Sequence, residues 1–212
     1  EQAHTGTQSM KSTIFGGTDG FGDWGGLWPL PEHLEEGDEY WFRVYAYFPS
    51  GFDFSSQDAS EGVKFMRSHT VSANDEHEGY QNFFLDTDGM VVATSVDTDT
   101  FYDNHPWPYE DIRGIGEVVS TDTWHAFEVY LKLHSEPGAA VFRCWQNGNL
   151  IFEDTQTPTL RLSTSKLDQA SVWTYWNNTA PKTQSAFLDD IIITSATPKN
   201  MDAAGNAFIG LM

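Results

Sequence analysis

This 212-residue chain has a single cysteine, few cations, no long apolar run and no helical periodicity. Each shortage excludes something. One cysteine, Cys144, cannot make an internal disulfide framework or a multi-cysteine metal site. Its place within Arg143-Cys144-Trp145 predicts a buried, inert thiol, as free cysteines usually are. Only 11 lysines and arginines stand against 31 aspartates and glutamates, for a formal charge of −20. Such a surface repels phosphate backbones and anionic lipid, so no nucleic acid partner is expected. Nothing approaches the ~20 consecutive apolar residues of a membrane helix, so no membrane insertion is expected either. His33, His69, His77, His105, His125 and His134 show no paired ligand spacing, which argues against a zinc or copper centre. No helix beyond two turns and no repeat of fixed period can be traced.

What the chain does have is aromatics and turn formers: 8 Trp, 15 Phe, 18 Gly and 9 Pro. These suit many short, tightly joined strands, and the length suits one undivided all-β domain over residues 1–212. The plainest stretch is 122–154. Residues 124–133 alternate His125, Phe127, Val129 and Leu131 with Ala126, Glu128, Tyr130 and Lys132, a strand with two unlike faces. Ser135-Glu136-Pro137-Gly138 turns it, 139–146 returns, Asn147-Gly148 is a hairpin turn, and 149–153 follows. Residues 38–49 form another strand. Tyr40, Phe42, Val44, Ala46 and Phe48 are its core set, while Trp41, Arg43, Tyr45 and Tyr47 face away.

Stretches 63–70, 80–86, 90–96, 170–177 and 185–196 read as further strands, and such spacing predicts a sandwich or jelly roll. Residues 27–37 read as a proline-punctuated connection with one helical turn near 31–34. Residues 1–12 read as a loose polar arm or a first edge strand. The apolar tail, 198–212, reads as a tail or edge strand open to self-association. The loop 97–116, carrying Asp97, Asp99, Asp103 and His105, reads as the rim of a cleft, because loops this long are seldom idle.

The pattern Trp124…Phe127-Glu128…Lys132, then Gly138…Arg143-Cys144-Trp145-Gln146-Asn147-Gly148, resembles the central meander of concanavalin A-like jelly rolls. The nearest branch is the polysaccharide-lyase-like and carbohydrate-binding one. The resemblance implies a β-jelly-roll sandwich of two antiparallel sheets. It also implies that an aspartate in the final strand, Asp189 or Asp190, binds a structural Ca2+ with residues of the N-terminal loop. A carboxylate pair inside an apolar strand needs a partner or a ligand in any case. The glycine-rich loop 16–26 offers Asp19, Asp23 and backbone carbonyls, the oxygen donors calcium prefers.

The few cations are more informative. Arg43, Lys64, Arg67, Lys132 and Arg143 all fall inside expected strands, where a charge is costly unless that face is wet or paired. In a jelly roll the wet face is the concave, sugar-binding one. Lys64 and Arg67 have opposite parity, so without a bulge at most one of them joins it. A cationic, tyrosine-rich groove suits an acidic polysaccharide and β-elimination from a uronate. That reaction needs a cation or amide on the carboxylate, a base for the C5 proton and an acid for the departing oxygen. Arg43 and Lys132 are the candidate neutralisers, and Tyr45, Tyr130 and His69 the candidate proton carriers. Tyr47, Lys64, Asn82, Glu128, Arg143, Trp145, Trp173 and Tyr175 are the candidate substrate contacts.

Cross-strand pairing of Glu128 with Arg43 or Arg143 is the purely structural alternative for those charges. A glycosidase needs two carboxylates across a groove, yet only Glu128 lies well inside a strand, and the Glu-x-Asp-x-Glu pattern of jelly-roll glucanases is missing. The leading expectation is a secreted, extracellular or cell-surface lyase domain. A non-catalytic lectin-like module and a structural subunit of a surface layer, filament or virion are the alternatives.

Overall fold

Period-two patterning turns most of this chain into strands. The computed structural model describes residues 2–20, 24–56, 62–97 and 112–212, and no helix occurs among them. In chain order the strands are β1 (Met10–Ile14), β2 (Gly26–Leu34), β3 (Glu39–Tyr47), β4 (Val63–Val71), β5 (His77–Leu85), β6 (Val91–Asp97) and β7 (Ile112–Ile115). Then come β8 (Trp124–Lys132), β9 (Val141–Gln146), β10 (Asn149–Asp154), β11 (Lys166–Trp176), β12 (Gln184–Thr194), β13 (Asn200–Met201) and β14 (Ala207–Phe208). Two six-stranded antiparallel sheets result. The first runs β1-β12-β3-β8-β9-β10 and the second β2-β11-β4-β5-β6-β7. This is the all-β jelly-roll sandwich that the strand spacing predicts.

The core lies between the sheets. The first contributes Tyr40, Phe42 and Val44 of β3 with Phe127, Val129 and Leu131 of β8. The second contributes Val63, Phe65 and Met66 of β4 with Phe83 and Leu85 of β5. Each such side chain stabilises the fold by about 1.5–3 kcal/mol through the area it removes from water. Cys144 belongs to this core, and burial pushes its thiol well above the ordinary range, so the inert thiol holds.

Two expectations need correcting. Residues 27–37 are not a connection with a helical turn. Gly26–Leu34 is a strand at the edge of the second sheet, paired among the described residues only with β11. Pro29 and Pro31 are tolerated because an edge strand leaves one row of backbone groups without a sheet partner. Trp28, Leu30 and Leu34 pack on the core and hold it there. The second correction concerns 97–116, where Ile112–Ile115 pairs with β6 as a strand. Residues 98–111 of that loop lie outside the described residues.

Bulges, invisible to strict alternation, set which side chains reach each face. In β4 the register slips between Lys64 and Met66, so Phe65 and Met66 both enter the core. In β11 it slips between Val172 and Tyr175 around Trp173, whose φ is 51°. In β12 it slips between Asp189 and Ile192 around Asp190, whose φ is 47°. The ends of the chain are also placed. β1 is the outer strand of the first sheet, while β13 and β14 pair with each other as a small hairpin rather than extending either large sheet.

Candidate active site

The sequence-derived candidates divide between the two outer faces of the sandwich. On the first sheet, Trp41, Arg43, Tyr45 and Tyr47 do share a face, but the ends of the chain cover most of it. Arg43 stands directly opposite Glu128 across β3 and β8 and donates from Nη1 to the Gly210 carbonyl at 2.5 Å. Glu128 accepts the backbone N–H groups of Ile209 and Gly210 at 2.5 and 3.2 Å. Burial pushes its carboxyl up to about 7, against the pull of those two N–H groups and of Arg43. The Tyr45 hydroxyl accepts the N–H of Met212 at 3.0 Å, and its ring lies under His4. Trp145 stacks on Phe208. Tyr130 donates to Glu39 at 2.7 Å, Arg143 pairs with Glu153 at 2.5 Å, and Lys132 faces Glu39 in register. Tyr47 donates to Asp122 at 3.1 Å. These groups are tied up in holding chain to chain. Trp173 lies elsewhere again, fully buried in the core and stacked on Trp24.

Among the described residues, Asp19 does not meet Asp189 or Asp190, with which it was expected to share a calcium ion. Asp189 accepts the N–H groups of His4 and Thr5, and Asp190 accepts the Thr5 hydroxyl and the His4 ring at 2.6 Å each. Asp19 lies at the other end of β12, where its carbonyl accepts the Trp176 N–H. Gln184, at that end, is five strand residues from Asp189, about 17 Å by strand rise. Asp23 lies outside the described residues. Among the described residues no cluster of three acidic, histidine or cysteine side chains has a metal-binding arrangement. The acidic pair finds its partners in the N-terminal segment instead.

On the outer face of the second sheet a different set of side chains meets, with Arg67 and Asn82 themselves buried. Its bulge at Phe65–Met66 brings Lys64 and Arg67 onto the same outer face, the case that alternation alone disfavoured. Arg67 lies opposite Asn82 and donates from Nε to its Oδ1 at 2.6 Å. The guanidinium carbon sits 3.3 Å from the ring centroid of Tyr80. One step along β4, His69 lies opposite Tyr80. His69 Nδ1 meets Asp168 Oδ1 at 2.6 Å and Nε2 meets His77 Nδ1 at 2.8 Å, so the three side chains form a line. The His69 and His77 rings stack 5.0 Å apart, and both lie about 5 Å from Tyr80. In the other direction, the Lys64 ammonium lies 5.4 Å from the Tyr175 ring. Thr174 and Ser171, from β11, complete the floor beside Arg67.

Comparison with known proteins bears on the family and the fold. Residues 27–191 match the family described as polysaccharide lyase, which covers most of the chain. The chain belongs to the polysaccharide lyase family. Its fold is similar to that of an alginate lyase from Chlorella virus, with a TM-score of 0.66 at 12% identity over 92% of this chain and 88% of that one. It is similar to an endo-β-1,4-glucuronan lyase from Trichoderma reesei, with a TM-score of 0.66 at 13% identity over 91% and 83%. An alginate lyase from Aplysia kurodai gives 0.65 at 11% identity over 91% and 85%. At these identities the likeness is one of fold. No curated protein matches the sequence.

For a polysaccharide lyase the second face holds the needed kinds of group in one place. Arg67 and Asn82 supply planar N–H donors suited to a carboxylate. The imidazoles and the Tyr80 hydroxyl can take and return protons. Of the sequence-derived candidates, His69, Asn82, Lys64 and Tyr175 come together here. Arg67, Tyr80, His77 and Asp168 were not among them. The available signal was a pair of short runs, Arg67-Ser68-His69 and Tyr80-Gln81-Asn82, polar throughout on strands that pair with each other.

Proposed function

We propose that this polysaccharide lyase cleaves a uronate-containing, acidic polysaccharide by β-elimination on the outer face of the second sheet. The observation that supports this most is the convergence of Arg67, Asn82, Tyr80 and the Asp168–His69–His77 line on one strand pair. In this reading Arg67 and Asn82 hold the uronate carboxylate and spread the charge that builds when the C5 proton leaves. Asp168 accepts from His69 Nδ1, which leaves Nε2 as the basic nitrogen of that ring, joined to His77. The imidazole pair takes the C5 proton. Tyr80, packed against the guanidinium and both imidazoles, returns a proton to the oxygen departing from C4. The C4–O4 bond breaks, a C4–C5 double bond forms, and no water is consumed. Lys64 and Tyr175, further along β4 and β11, hold a neighbouring sugar. No step of this scheme is assigned to calcium, whose expected role is structural.

An extracellular or cell-surface setting goes with this reading. A charge of −20 with one buried thiol suits life in salt without disulfides. The test is ultraviolet absorbance of the unsaturated product during incubation with a panel of uronate polysaccharides. Rising absorbance that vanishes in Arg67→Ala supports the reading. Saturable binding with no product on any member of the panel would replace it with the lectin-like alternative.

A further inference from the structure

The outer face of the first sheet has a purpose that the proposed chemistry leaves untouched. Four side chains on its central strands β3 and β8 grip the last residues of the chain, and every one of those bonds falls on the backbone. Trp41 Nε1 donates to the carbonyl of Ala207 at 3.1 Å, and Arg43 Nη1 to that of Gly210 at 2.5 Å. Glu128 takes the consecutive N–H groups of Ile209 and Gly210, one on each oxygen. The Tyr45 hydroxyl takes the N–H of Met212. Apolar packing adds selectivity, with Phe208 stacked on Trp145 and Ala207 and Ile209 packed around Trp41 and Tyr130. Gly210 adopts φ 83°, where a Cβ would come within 3.0 Å of Asn200. The face therefore grips the backbone of a folded-back segment that has an aromatic at one position, while the segment's own Asn200 demands a glycine two residues later.

By contrast, the link to the body is slight. Ser195, Ala196 and Thr197 are exposed, and Ala196 is hydrogen-bonded to its near neighbour Thr194. We infer that this face is a peptide-binding groove whose ligand is the chain's own C-terminal segment, and that the same segment from a second copy can occupy it. Within one molecule the tether gives an effective concentration of about millimolar, so the groove is ordinarily filled by its own segment. Side-chain grips on backbone atoms do not depend on that tether, which makes exchange between copies possible.

The experiment uses the full chain with a protease site placed between Ala196 and Lys199 and cut after folding. A fluorescent peptide with the sequence of residues 199–212 is then added and the mixture is gel-filtered. Label should travel with the body and be displaced by unlabelled peptide. A peptide carrying Gly210→Val, which forces a β-branched residue to positive φ, should bind about ten-fold more weakly or worse. Label that always runs free would overturn the inference, whether the cut segment never leaves or leaves and cannot be replaced. Equal binding of a scrambled peptide would overturn it too, since the groove would then read only composition.

Discussion

The guanidinium of Arg67 rests 3.3 Å from the ring centroid of Tyr80, while its Nε is fixed on Asn82. A guanidinium held on two sides in this way keeps its plane fixed, which a lysine cannot imitate. Arg67→Lys should keep the charge and still lose roughly 100-fold in kcat/KM on the responsive uronate substrate. Tyr80→Phe keeps the stacking and removes the hydroxyl, and should cost roughly 100-fold or more if that hydroxyl carries a proton. Near-wild-type turnover in Tyr80→Phe would assign the proton to another residue.

Asp168 is a positioning residue in this scheme, since it acts through His69. Asp168→Asn keeps an acceptor but removes the charge beside the imidazole. We expect kcat to fall by up to about 100-fold with KM little changed. The acid limb of the pH-rate profile separates the explanations. It should move in Asp168→Asn if carboxylate and imidazole are coupled, and stay in place if Asp168 merely braces β11.

Glu128 gives a prediction about stability. Burial raises its folded value to about 7, above the 4.5 of an unperturbed glutamate. Between those values the folded chain holds a proton that the unfolded chain has released. Stability from this group should therefore be full below about pH 4.5, decline as pH rises toward 7, and level off above it, by on the order of 3 kcal/mol at most. Glu128→Gln should lose this slope in thermal melts across that range. It also strands a backbone N–H of the C-terminal segment, at a cost of about 1–3 kcal/mol at all pH values. An unchanged slope in the variant would place the titration elsewhere.

The Asp189–Asp190 pair predicts an outcome for metal removal. Burial would raise the Asp190 carboxyl, but hydrogen bonds from Thr5 and His4 outweigh it and hold it below the usual range. Its contribution should be present above the ordinary carboxylate range and be lost as pH falls through the lowered value. Chelator should leave the melting temperature unchanged, whereas His4→Ala should cost about 1 kcal/mol by freeing the N-terminal segment. A clear loss of stability on chelation, restored by calcium, would return a cation to these residues.

Much of the fold was legible because alternation is a local property. The core set of β3, Tyr40 to Ala46, could be read directly, since burying one face of a strand demands an apolar residue at every second position. The hairpin at Asn147-Gly148 was equally local. The resemblance carried by residues 124–148 led to the right family. The edge strand β2 was not legible, because prolines are forbidden only where both neighbours demand an N–H, and edge status is a property of the whole sheet.

The site divides along the same line. Composition and spacing supply the inventory: few cations placed within strands, abundant tyrosine, and a histidine among them at His69. Which of them meet depends on register and packing. An extra core residue at Phe65–Met66 shifts the parity of β4, and Lys64 then joins Arg67 and His69 on one face. The pairing of β5 and β11 with β4 brings Tyr80, Asn82 and Asp168 to them from far along the chain. On the other sheet the folded-back C-terminus buries Arg43 and Glu128, which alternation alone had assigned to a wet surface. Alternation reports the side of a strand a residue occupies. What lies over that side depends on long-range packing, which sequence spacing does not encode.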